Sequence, residues 1–131
     1  MVVTPLYAGL LGFMFLILSW RVIQFRQRGI SLGDGGDPIM LRRMRAHGNF
    51  SEYVPLLLLM MGFLELGHTS LYVLHALGIA LLLSRLLHAY ALSFTERFRF
   101  GRVWGAALTF AVLGVGSVLC LLLGLRGMST M

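Results

Sequence analysis

Apolar residues run nearly unbroken through four stretches of the chain, and short polar intervals separate them. This spacing predicts four helices over approximately 4–26, 38–66, 70–95 and 102–125. At about 1.5 Å per residue, each is long enough to cross a hydrocarbon core of about 30 Å. The first run is broken by Ser19 and Arg21, and its positive charges Arg21, Arg26 and Arg28 follow it instead of preceding it. With no small-residue cleavage site, it reads as a retained helix and not as a signal peptide. Ala8 and Gly12 on it form a small-xxx-small pair suited to close approach by a neighbour.

The polar intervals carry their own signals. Gly29, Gly33, Gly35 and Gly36, with Ser31, Asp34 and Asp37, mark the one substantial loop. Asp37 followed by Pro38 predicts an N-cap and a first helical position. Pro55 lies inside the second helix and cannot donate to the carbonyl of Ser51, so a bend or a freed carbonyl is expected near Glu52. Gly67 is placed as a C-cap, and Thr69 or Ser70 as the next N-cap. Glu65 and His68 read as interfacial polar residues. The basic run Glu96-Arg97-Phe98-Arg99-Phe100-Gly101-Arg102 forms the third connection, and Gly105, Gly114, Gly116 and Ser117 are available for close packing in the last helix.

Composition turns long apolar helices into a membrane assignment. Of 131 residues, 58% are hydrophobic and 12% charged, with mean hydropathy +0.85; a soluble domain carries roughly twice that charged share. The expected fold class is therefore all-α, an integral membrane four-helix bundle forming a single domain over residues 1–131. Net charge is +6, supplied by eleven arginines and no lysine. Those arginines are interleaved with the membrane segments and do not gather into a solvated patch, which argues against nucleic acid as a partner. They cluster around the first and third connections, whereas the opposite side has Arg126, so by the positive-inside rule both of those connections face the cytoplasm. Cys120, in an apolar run, reads as a structural thiol.

Polar chemistry concentrates at the start of the second helix. With 100° of turn per residue, Arg42, Arg45, Asn49, Glu52 and Tyr53 fall on one stripe, while His47 and Pro55 point elsewhere. Ionisable groups at such depth face a protein interior or a wet cavity. Depth matching places Glu52 level with Arg85 in the antiparallel third helix, within one protomer or across a subunit contact. His88 lies one turn nearer the cytoplasm. A structural polar clasp is one reading of this set. The other is an anion chamber, because one carboxylate cannot neutralise Arg42, Arg45, Arg85 and Arg102. No metal is expected, since His47, His68, His75 and His88 lack ligand spacing.

Arg45-Ala46-His47-x-Asn49-x-x-Glu52-x-x-Pro55 opening a second membrane helix, Arg85-x-x-His88 in the third and an arginine opening the fourth resemble the MAPEG family, the membrane-associated proteins of eicosanoid and glutathione metabolism. The resemblance covers the whole chain in length, helix count and orientation. It implies a homotrimer with glutathione sites between neighbouring subunits, open to the cytoplasm. Arg42, Arg45, His47, Asn49, Glu52, Tyr53, Arg85 and His88 would belong to the glutathione site or its surroundings. Arg102 would stabilise the thiolate, with Arg99, one turn earlier, as the other register. Several members carry a tyrosine where this chain has Leu92. Glutathione, as co-substrate, offers carboxylates to arginines and an ammonium to Glu52, with Asn49 able to serve either.

The expected activity is that of a glutathione transferase or peroxidase acting on lipophilic electrophiles or lipid hydroperoxides in detoxification. The other reading is a non-catalytic membrane protein that holds an anionic lipid head group or another thiol in the same pocket. A proton-coupled exporter ranks last, because the first helix has no acidic residue. A bacterial inner membrane is the expected location.

Overall fold

The computed structural model describes residues 1–30, 32–94 and 99–129. Its elements are α1 (Val3–Arg26), α2 (Pro38–Leu66), α3 (Leu71–Phe94) and α4 (Arg99–Ser129). All four are long and apolar enough to cross a membrane, so the chain is an all-α integral membrane protein. Helix α4 exceeds the expected 102–125 at both ends, because helix continues into turns that carry few apolar side chains. The expected end of α3 at residue 95 and the connection through Arg97 lie outside the described residues.

Local chemistry fixes the helix ends. Asp37 caps α2, its carboxylate accepting from Ile39 N at 2.7 Å and Met40 N at 3.1 Å, with Pro38 at the first position. Helix α2 then runs unbroken through Pro55. At its far end Thr69 N bonds the carbonyl of Leu64 at 3.0 Å and His68 N that of Glu65 at 3.1 Å, the double bond pattern of a Schellman turn. Gly67 is the C-cap, as expected, and the residue after it, His68, takes the left-handed conformation at φ 58°. A Cβ at 67 would lie 2.5 Å from the tip of the Leu123 side chain of α4, which would have to turn aside.

Glu65 is more than an interfacial polar residue. Val2 lends α1 no side-chain cap. Glu65 instead accepts from the backbone N–H groups of Val2, Val3 (2.8 Å) and Thr4 (2.8 Å). A carboxylate at a helix N-terminus satisfies orphan donors and opposes the positive end of the dipole.

Helix α2 packs against all three other helices and α3 against α1, α2 and α4, whereas α1 and α4 do not touch among the described residues. Hence α1 and α4 flank an α2–α3 pair on opposite sides. The core joins Tyr7, Leu11 and Leu18 of α1 to Phe50, Val54, Leu57, Met61 and Leu64 of α2 and Leu74, Leu77 and Leu81 of α3. Lipid solvates apolar side chains as well as a protein interior does, so close contact must hold these helices together. Two glycines permit it. A Cβ at Gly78 would overlap the Tyr7 ring at 2.3 Å, and one at Gly105 would sit 2.9 Å from the backbone nitrogen of His88 and 3.0 Å from the carbonyl oxygen of Ser84. Of the other expected packing positions, Gly12 and Gly114 face open space.

One stripe of α2 has no partner in the protomer. Leu56, Leu59, Phe63 and Leu66 are each about half exposed. They continue the line of Arg45, Asn49 and Glu52 in alternating steps of four and three residues.

Candidate functional site

At the arginine-rich end, α2, α3 and α4 line a half-open chamber of about 700 Å³. From α2 it receives Leu41, Met44, Arg45, Gly48, Asn49 and Glu52; from α3, His88 and Leu92; from α4, Arg102. Five expected site residues, Arg45, Asn49, Glu52, His88 and Arg102, thus meet around one space. Tyr53 and Arg85 lie behind that wall. Arg42 and His47 do not line the chamber, and the side chain of Arg99 lies outside the described residues.

Arg85 occupies the position that depth matching assigned to a partner of Glu52. Its guanidinium is 2% exposed, and its hydrogen-bond partners are neutral. Nη1 donates to Asn49 Oδ1 at 2.7 Å, Nη2 donates to Thr109 Oγ1, and Nε reaches Ser84 Oγ at 3.4 Å. Within the protomer, Glu52 is exposed on the chamber side and has no ion-pair partner among the described residues. Equal depth does not guarantee contact, because two groups at one level still differ in azimuth about their helices. Asn49, one turn earlier, is turned toward α3.

Thr109 is the site residue that sequence reasoning missed. It is 1% exposed, donates to the Gly105 carbonyl at 2.8 Å, and lies 3.2 Å from Ser84 Oγ, which donates to the Leu81 carbonyl at 2.7 Å. The absent side chain at Gly105 brings α4 close enough for this contact. A signal was present: Arg102, Gly105 and Thr109 stand at i, i+3 and i+7, one face of a helix.

Tyr53 lies behind the wall, beside Arg85 and Phe110. Its ring meets Phe110 edge to face with centroids 5.7 Å apart, and the Arg85 guanidinium stands 6.0 Å from its centroid. His47 turns to α1, with Nε2 3.1 Å from Ser19 Oγ and its ring stacked on Phe15 at 4.7 Å. It also lines a groove of about 360 Å³ with Ser19 and Arg26 on the other side of α2. A further cavity of about 520 Å³ shares His88 and Arg102 with the chamber and adds Val103 and Ala106. Cys120 is half-buried, its thiol 3.6 Å from the Met60 carbonyl.

Three guanidinium groups, two in the wall and one behind it, face one carboxylate. Such a chamber is electropositive and rich in donors, the chemistry that receives carboxylates.

The sequence profile of the MAPEG family matches residues 4–122. The chain is also similar to the inner membrane protein YecN of Escherichia coli strain K12, 36% identical over 89 residues that cover 67% of this chain and 68% of the relative. YecN of the O6:H1 strain CFT073 matches to the same extent. No solved structure is significantly similar. Because the profile begins in α1 and ends in α4, it spans every element that builds the chamber, and the chain belongs to the MAPEG family.

Proposed function

We propose that this protein is a glutathione-dependent membrane transferase with peroxidase capacity. The reading rests on one observation: a single chamber in which Arg45, Arg102 and the buried Arg85 outnumber Glu52. Glutathione carries two carboxylates, an ammonium and a thiol. Arg45 and Asn49 take carboxylate, Glu52 takes the ammonium, and Arg102 favours the ionised sulfur, since a cation in a low-dielectric site lowers a thiol pKa from about 8.5. The thiolate attacks an electrophilic carbon, a C–S bond forms, and the leaving group departs with its electron pair. With a hydroperoxide, two glutathione molecules supply two electrons, giving the disulfide, an alcohol and water. A lipophilic second substrate comes from the bilayer through the cavity beside Val103 and Ala106, which shares Arg102 with the chamber.

The proposed assembly is a homotrimer in a bacterial inner membrane, its sites opening to the cytoplasm between subunits. The unpartnered four-and-three stripe of α2 supports it, because a second and third copy would cover Leu56, Leu59, Phe63 and Leu66. The groove with Arg26 and His47 would then give a neighbour's chamber its outer wall.

Leu92 in the chamber lining, where several family members carry tyrosine, favours a second reading: a binding protein for an anionic lipid head group or another thiol. Titrating the reconstituted protein with glutathione while following thiolate absorbance in the ultraviolet decides between them. The transferase reading expects a thiolate band at neutral pH that Arg102→Ala abolishes. Binding without any band supports the second reading, and no binding at all removes glutathione.

A further inference from the structure

We propose that Arg85 and Thr109 are positioning residues that set the orientation of the Asn49 carboxamide, so that its NH2 group is presented to the chamber as a fixed donor to a carboxylate of the thiol substrate. This rests on the glutathione reading and sharpens it, because an asparagine by itself could face either the ammonium or a carboxylate. A guanidinium has only N–H donors and no acceptor. The 2.7 Å contact from Arg85 Nη1 therefore assigns the near atom of Asn49 as its carbonyl oxygen. The two N–H groups are left for the chamber that Asn49 lines.

Arg85 can impose this only if it is itself immobile. Thr109 takes Nη2, Ser84 takes Nε, and the residue is 2% exposed. Thr109 is in turn tied to the Gly105 carbonyl at 2.8 Å, in the turn of α4 that lies against α3. The chain thus runs from the α3–α4 contact through two buried side chains to one donor in the wall. The charge adds to the geometry: no carboxylate accepts from Arg85 among the described residues, so its field reaches Asn49 and favours an anion beyond it.

Asn49 is the sole asparagine in the sequence, which makes the test direct. Protein labelled with [15N]asparagine in detergent micelles gives a single side-chain NH2 pair by NMR. Thr109→Val removes the hydroxyl at nearly constant volume and is expected to shift that pair without ligand, whereas Thr109→Ser leaves it in place. An unmoved pair in Thr109→Val overturns the relay, whatever the substrate is.

Glutathione is then compared with two analogues, one lacking the α-carboxylate of the γ-glutamyl group and one with its glycine carboxylate amidated. Wild type is expected to bind one analogue at least about tenfold more weakly than glutathione, the range for a hydrogen bond to a charged group. That analogue fails to shift the Asn49 pair, and Asn49→Ala loses the discrimination. Glutathione binding measured by calorimetry with an unmoved NH2 pair, or undiminished discrimination in Asn49→Ala, overturns the carboxylate assignment. Absence of any glutathione binding by wild type instead sinks the thiol reading, and the ligand-free Thr109→Val result still decides the relay.

Discussion

Asn49 and Glu52 lie one turn apart on α2 and meet opposite surroundings. Asn49 is tied to a buried guanidinium, while Glu52 stands in the chamber with no ion-pair partner among the described residues. The stripe containing both was legible from 100° periodicity, but which of them meets Arg85 was not, because axial depth carries no azimuth. Thr109 shares a helix face with Arg102 and Gly105, a signal that gains meaning only once α4 is known to press on α3 at Gly105. For Glu52, the proposed contact with the ammonium of glutathione makes a sharp expectation. Glu52→Gln keeps shape and removes charge, so glutathione affinity should fall about tenfold or more, the scale of a charge-assisted hydrogen bond. Unchanged affinity by calorimetry would take Glu52 out of the site.

Hydropathy and capping chemistry located all four helices, α1 and α2 to within a residue, whereas α4 runs three to four residues further at each end. Asp37-Pro38 opens α2 as its chemistry demands, and α2 ends at Leu66 as expected. Where the reading missed, the cause was contact between elements. Glu65 has the look of a surface group, yet it closes the N-terminus of a different helix. Helix α4 outruns its apolar stretch because hydrogen bonding, once started, continues into polar turns. Gly105 is the position where α3 and α4 are most sensitive. Gly105→Ala puts a methyl 2.9 Å from the His88 nitrogen and 3.0 Å from the Ser84 carbonyl oxygen, neither of which can swing aside. Overpacking of this kind costs about 1–3 kcal/mol. A lowered melting temperature in micelles is the expected outcome, and an unchanged one would mean that the two helices are less tightly apposed.

At the scale of the whole molecule, the half-exposed leucines and Phe63 on α2 are the face on which the proposed trimer rests, since they continue the line of the site residues. Introducing Leu59→Glu together with Phe63→Glu should convert the proposed trimer to monomers in sedimentation velocity, and persistence of trimers would place the subunit contact elsewhere. Polarity along the bundle axis is equally uneven. The chamber is confined to the arginine-rich end, and toward the other end Leu57, Met61, Leu64, Leu74 and Leu77 fill the interior. Water admitted at the chamber end therefore meets a span of hydrocarbon before it could reach the other. The bundle should then act as an insulator: liposomes carrying it are expected to hold an imposed proton gradient as long as protein-free ones, and a rapid leak would show that the apolar interior opens.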